Sequence, residues 1–192
     1  KEHEDLGQAL AACKRAEALE PGRADILNTL GLVRQARREW DAAETAFRAA
    51  AKGVPMGQPR AQIETNLAAL YMVQERFDVA AESCRAAIEA HPVYPQAHNI
   101  LGAALKAAKD LTGAEAAFRK AYELDPTMTA AQVNLGTVFG MRRQWDDALA
   151  CYGRALEMSP DCAEAMNNRG NVLHSIGRFN EAENDFERAI SI

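Results

Sequence analysis

Five prolines punctuate this chain at a near-constant interval. Pro21, Pro55, Pro92, Pro126 and Pro160 stand 34, 37, 34 and 34 residues apart. A fixed period of this size means that one supersecondary unit has been copied in a row. Each unit of such an array packs on its neighbours and leaves a long surface open. The period therefore points toward a binding surface and away from a catalytic pocket.

Counting each unit from Ala24, Ala61, Pro95, Thr129 and Ala163 aligns the copies. The eighth position holds Gly31, Ala68, Gly102, Gly136 and Gly170. The twentieth holds Ala43, Ala80, Ala114, Ala148 and Ala182, and the twenty-seventh Ala50, Ala87, Ala121, Ala155 and Ala189. Three columns of very small residues are expected where two helices cross closely. Bulky columns fill the space between them. Leu30, Leu67, Leu101 and Leu135 share the seventh position; Trp40, Phe77, Leu111, Trp145 and Phe179 the seventeenth; Phe47, Cys84, Phe118, Tyr152 and Phe186 the twenty-fourth. Within each half unit the apolar positions recur at the three- and four-residue spacing of an amphipathic helix. No run alternates valine, isoleucine and threonine, so strands are not expected.

The break between the two helices is short and polar, as in Arg37-Arg38-Glu39 and Arg143-Gln144, and a short connection lays two helices antiparallel. The proline, lacking an amide proton and disfavouring helix before it, resets the chain for the next unit. Residues 1–23 fit the second helix of a partial repeat, with Leu6, Ala9, Cys13 and Ala16 in register. The full repeats then run over 24–60, 61–94, 95–128 and 129–162, and a nearly complete one over 163–192. The segment Lys52 to Arg60, rich in glycine and proline, reads as a longer loop that absorbs the extra residues of its unit. The whole array is one domain. It starts inside a unit and stops before a closing proline or a polar capping helix, so we expect an excised fragment.

This pattern resembles the tetratricopeptide repeat family along essentially the whole chain. The resemblance implies an all-α fold, a right-handed superhelix of antiparallel helix pairs, with the first helix of each pair lining a concave groove. Its second stripe, at the second, fifth, sixth, ninth, twelfth and thirteenth positions, would face that groove. Here the stripe carries Asn28, Leu32, Asn66, Met72, Asn99, Lys106, Asn134, Met141, Asn167, Asn168, Asn171 and His174 as candidate peptide contacts, with Ile100 among the apolar ones. It is almost uncharged and rich in asparagine. An asparagine offers both an acceptor and a donor, the pair that matches a peptide backbone. Asn66, Asn134 and Asn168 share the sixth position, and this row resembles the asparagine ladder in the repeat region of O-linked N-acetylglucosamine transferase. Asparagines there could equally join adjacent units to each other. Lysine or arginine is missing from the second, fifth and sixth positions, where members that clamp a chaperone's C-terminal carboxylate carry it. Arg169 replaces the leucine of its column; we expect its stem to pack with its head at the rim.

The remaining composition excludes more than it assigns. A net charge of −5 and a pI near 5.5 argue against nucleic acid, which needs clustered basic surface. The basic pairs Arg37-Arg38 and Arg142-Arg143 fall at turns, where solvation is the expected state. No apolar stretch is long enough to insert in a membrane, and no disulfide framework is suggested by Cys13, Cys84, Cys151 and Cys162, so a cytoplasmic setting is expected. Cys13 and Cys84 stand where phenylalanine stands elsewhere and read as buried apolar residues. His3, His91, His98 and His174 lack helical partners for a metal, and His98 falls in a packing column. Neither a phosphate-binding glycine loop nor a nucleophile elbow occurs. No catalytic residue, cofactor or metal is therefore expected. Three readings follow: a non-catalytic scaffold that binds a partner's peptide segment; the substrate-recruiting arm of a larger enzyme, such as a protein glycosyltransferase; or a self-assembly module that associates through its repeat ends.

Overall fold

The computed structural model describes residues 2–192, with side chains from Asp5 onward. The side chain of His3 thus lies outside the described residues. Among them are eleven helices and no strand: α1 (Glu2–Leu19), α2 (Ala24–Ala36), α3 (Trp40–Lys52), α4 (Gln58–Val73), α5 (Phe77–Ala90), α6 (Pro95–Ala107), α7 (Leu111–Leu124), α8 (Thr129–Met141), α9 (Trp145–Met158), α10 (Ala163–Ser175) and α11 (Phe179–Ile190). The fold is all-α and built from helix hairpins. The chain forms two compact units, residues 1–104 and 105–192. In the first, α1 packs on α2, the pairs α2–α3 and α4–α5 form hairpins, and α3 leans on α4. In the second, α7 leans on α8, α9 leans on α10, and α8–α9 and α10–α11 form hairpins.

Each hairpin closes through one repeated contact. The eighth-position glycine is not spared for backbone meeting backbone. It makes room for the aromatic ring sixteen residues later in its own unit. A Cβ built on Gly31 would stand 2.5 Å from Phe47, on Gly136 2.7 Å from Tyr152, and on Gly170 2.7 Å from Phe186. The second unit of the sequence count has Ala68 opposite Cys84, both fully buried: a larger floor meets a smaller knob. The unit-one core grows from these contacts, with Phe47, Leu70, Tyr71 and the alanines of α3 and α5 buried together.

The turns inside the hairpins share a geometry that composition conceals. The fifteenth residue is left-handed in all five: Arg38 (φ 60°), Glu75 (57°), Lys109 (66°), Arg143 (59°) and Gly177 (82°). The next amide then reaches back five residues to a first-helix carbonyl at 2.9 Å, from Glu39 to Arg34, Arg76 to Tyr71, Asp110 to Leu105, Gln144 to Phe139 and Arg178 to Leu173. This is the Schellman closure, which satisfies carbonyls that the helix end leaves open. Only one of the five residues is glycine, so four side chains carry a left-handed strain.

The segment expected as a longer loop is corrected. α4 starts at Gln58, three residues before its counterparts, and the loop is confined to 53–57. Pro59 sits in the first turn of α4, where its missing N–H costs nothing and its ring presets the helical φ. The extra residues thus form an extra helical turn. Arg60 in that turn donates to the Ala51 carbonyl at the end of α3 and pairs with Glu64 at 2.8 Å.

Candidate functional site

The stripe on the first helices is the candidate site. Within the first unit α2 and α4 touch, and within the second α8 and α10 touch. The stripe of each unit is therefore a shared wall. Asn66 donates from Nδ2 to Asn28 Oδ1 at 2.9 Å, bridging α4 and α2. Lys106 donates from Nζ to Asn134 Oδ1 at 2.9 Å, bridging α6 and α8. The asparagines thus join adjacent repeats, as one of the two sequence alternatives had it. A bridging asparagine keeps further hydrogen-bonding capacity, since each amide has two donors and two lone pairs.

Exposure sorts the candidates. Asn167, Asn171 and His174 are exposed, as are Leu32 at 44% and Met141 at 52%. Asn28, Asn66, Asn99, Lys106, Asn134 and Asn168 are half-buried. Met72 is also half-buried and packs on the unit-one core. The fifth position needs correction in two repeats. Thr65 (6% exposed) and Val133 (2%) are buried and leave the wall. Thr65 spends its hydroxyl on the Ala61 carbonyl, 2.7 Å away. His174 stacks edge-on with Phe179, ring centroids 5.2 Å apart.

One place on the wall opens into a pocket of about 320 Å³. Thr137, Gly140 and Met141 of α8 form one side, and Asn168, Asn171, Val172 and Ser175 of α10 the other. Trp145 and Tyr152 of α9 close the back, with Tyr152 Oη donating to Thr137 Oγ1 at 3.4 Å. In the sequence these two aromatics read as core columns, and their role in the pocket was missed. The signal that marks it is Gly140. At the twelfth position the other repeats carry Gln35, Met72, Lys106 and His174. A side chain missing there leaves the hollow, and a Cβ on Gly140 would meet nothing nearer than Val172 at 3.8 Å and Tyr152 Oη at 4.0 Å.

Charged groups on the second helices overturn the expectation that the turn residue Arg142 is simply solvated. Glu44 accepts from Arg48 (2.9 Å) on its own helix and from Arg76 (3.1 Å) of the next hairpin, and Arg76 lies 4.5 Å over the Tyr71 ring. Glu115, at the same register, accepts from Arg119 (2.9 Å) and Arg142 (2.5 Å), with Arg119 5.6 Å from the Phe139 ring. Burial alone would raise both carboxyls, yet the hydrogen bonds from Tyr71, Arg48 and Arg76, and from Arg119 and Arg142, hold each below its ordinary pKa. These groups clamp neighbouring hairpins together.

Arg169 is likewise corrected. Its guanidinium does not sit free at the rim. It grips Asp185 with both arms, at 2.7 and 2.6 Å, and Asp185 is 1% exposed. The seventh and twenty-third positions of the other units hold pairs such as Leu30 with Ala46 and Leu135 with Cys151. An ion pair has thus replaced an apolar pair. Burial pushes the Cys84 thiol up to about 12, which leaves it inert, and His98 donates to the Pro92 carbonyl at 3.1 Å. All four cysteines are free. Among the described residues no cluster of histidine, cysteine or carboxylate could hold a metal, and no helix is long and apolar enough to cross a membrane.

The fold and this wall define a helical-hairpin repeat protein with an amide-rich, pocketed first-helix surface. Two models of the family described as tetratricopeptide repeat match residues 65–129 and 127–192, which together exceed half of the chain. The chain belongs to the tetratricopeptide repeat (TPR) family, whose members generally serve as protein-interaction scaffolds. Solved structures agree on the fold. BtubC (BKLC) from P. vanneervenii superposes with a TM-score of 0.82 at 21% identity, over 98% of this chain and 88% of that one. The hetero-tetramer Cut9-Hcn1 of the APC/C gives 0.83 at 16% identity, over 98% of this chain and 37% of that one. YrrB, described as a TPR protein with an unusual peptide-binding site, gives 0.69 at 20% identity, over 95% and 93%. No curated protein matches the chain by sequence.

Proposed function

We propose that this chain is a non-catalytic interaction module that holds an extended peptide segment of a partner protein against its first-helix wall. The observation that carries the reading is the pocket opened by Gly140. It combines an apolar floor with amides at its mouth, the chemistry that seats one side chain while pairing with the main chain beside it. In its own unit Asn134, Asn167, Asn168 and Asn171 extend the amide surface and Met141 supplies apolar contact; in the other unit Asn28, Asn66 and Asn99 supply amides and Leu32 and Ile100 apolar contact. Peptide capture by YrrB is consistent with this use of the fold. The asparagine row, through its resemblance to the ladder in the repeat region of O-linked N-acetylglucosamine transferase, favours a second reading in which the module recruits substrates for a larger enzyme. Its partner would be a protein in either case.

Gly140→Gln tests the proposal cleanly. The site has room for a Cβ, and glycine is a poor helix former by about 0.8–1.0 kcal/mol. The variant should therefore be at least as stable as the wild type yet lose partner capture in a pull-down, because its side chain fills the pocket. Asn66→Ala with Asn134→Ala should weaken capture while helicity is unchanged. Normal capture by both well-folded variants would refute the reading.

A further inference from the structure

We propose that an acidic side chain of the bound peptide docks on Lys106, beside a bulky uncharged residue that enters the Gly140 pocket. This inference rests on the peptide-binding reading and deepens it. Lys106 stands in the last turn of α6, on the wall stripe and half-buried. Its ammonium donates to Asn134 and lies 5.8 Å from the Phe118 ring centroid. An ammonium has three donors, and neither an amide oxygen nor a ring face neutralises its charge. In the same unit Arg119, Lys120, Arg142, Arg169 and Arg178 each have a carboxylate within ion-pair distance. Lys106 takes part in no ion pair of the described residues, although it is half-buried.

Charge that is partly stripped of water and left uncompensated is costly, and here it is costly in the empty state. Burial indeed lowers the proton affinity of Lys106, and the field of Glu164 only partly opposes this. A carboxylate arriving from a ligand meets two unspent donors in a half-desolvated place, where charge-assisted hydrogen bonds are strong. The wall beyond it, through Asn134, Thr137 and Asn168, is uncharged and amide-rich. That surface suits a main chain running on past the acid, which assigns the carboxylate to an aspartate or glutamate side chain and not to a chain end. The wall stripe also carries Glu164, whose field reaches both Lys106 and Tyr152, so a peptide with a lysine at the pocket position would not reproduce the effect of an acid at Lys106.

The probe is a library of short random peptides with amidated C-termini, selected on the intact chain, with matched peptides carrying free C-termini as a second arm. The wild type should enrich Asp or Glu at one fixed place next to a bulky apolar residue. Exchanging that acid for its amide should weaken binding roughly tenfold, the scale of one charge-assisted hydrogen bond. Lys106→Arg should keep the preference. Lys106→Gln, which keeps a donor for Asn134, should bind acid and amide peptides equally well while its circular dichroism matches the wild type. Enriched peptides without an acid, or an acid preference that survives Lys106→Gln, would overturn this inference and leave the peptide-binding reading standing. Enrichment only in the free C-terminal arm would overturn the side-chain assignment. Failure of the wild type to retain any peptide would overturn both.

Discussion

Gly136→Ala probes how the hairpins close, and its sign should depend on one other residue. A Cβ on Gly136 would stand 2.7 Å from Tyr152 Cε1 and 2.9 Å from Cδ1 and Cζ. Carbon atoms in comfortable contact are about 3.5–4.0 Å apart, so the overlap is close to 1 Å. The ring is buried and its hydroxyl bonds Thr137, so it can yield only by giving up that bond and shifting toward the Gly140 pocket. Overpacking of this kind costs about 1–3 kcal/mol, or roughly 2–4 °C of melting temperature per kcal/mol at this chain length. Tyr152→Cys removes the ring and leaves a cavity, with an expected cost of about 3–5 kcal/mol. The double variant reproduces the Ala68 and Cys84 pair that another hairpin of this chain already uses. In the Tyr152→Cys background Gly136→Ala should therefore stabilise, because the methyl fills space and alanine favours helix by about 1 kcal/mol. Unfolding followed by far-UV circular dichroism on the four proteins gives the coupling. Additivity within about 0.5 kcal/mol, or a Gly136→Ala variant as stable as the wild type, would refute the ring-on-glycine closure.

Three further outcomes are expected. Arg169→Leu alone should cost several kcal/mol, about 3–5 for a stranded buried charge, because it leaves Asp185 without its partner, whereas Arg169→Leu with Asp185→Ala should be neutral or stabilising; denaturant midpoints decide. Lys109→Gly and Arg143→Gly should each stabilise by up to about 1 kcal/mol, and Gly177→Ala should destabilise by a similar amount, since each acts at a left-handed residue. Glu44 and Glu115 are held below their ordinary pKa, so the stability they add is fully present above the usual glutamate value and is lost as pH falls through their folded values. Glu44→Gln with Glu115→Gln should flatten the acid side of a stability-versus-pH profile, and an unchanged acid limb would contradict the clamp.

Much of the fold was legible because repetition amplifies weak signals. First helices begin at Ala24, Pro95, Thr129 and Ala163, the positions counted as unit starts, and the small and bulky columns mark the buried faces. The extra turn at Gln58–Arg60 was hidden because glycine and proline mark both loops and helix starts. The left-handed fifteenth position was hidden because arginine, glutamate and lysine occupy it and only Gly177 advertises it. The candidate stripe followed from the family resemblance, which does not say which of its members lie open. Thr65 and Val133 are covered by neighbouring helices, a tertiary fact without a local signature. Arg169 looked anomalous in its column, and its partner Asp185 was equally anomalous in another. Only the hairpin geometry brings the two together. The Gly140 pocket was present in the sequence as an absence, a missing side chain on an otherwise filled stripe.

The most direct test of the account is a nuclear magnetic resonance titration with a library-selected peptide, following the methionine methyls and the asparagine side-chain amides. The account predicts that Met141, Asn134, Asn168 and Asn171 shift together and saturably. Stationary signals from these four, with changes confined to methionines and asparagines elsewhere in the chain, would contradict it.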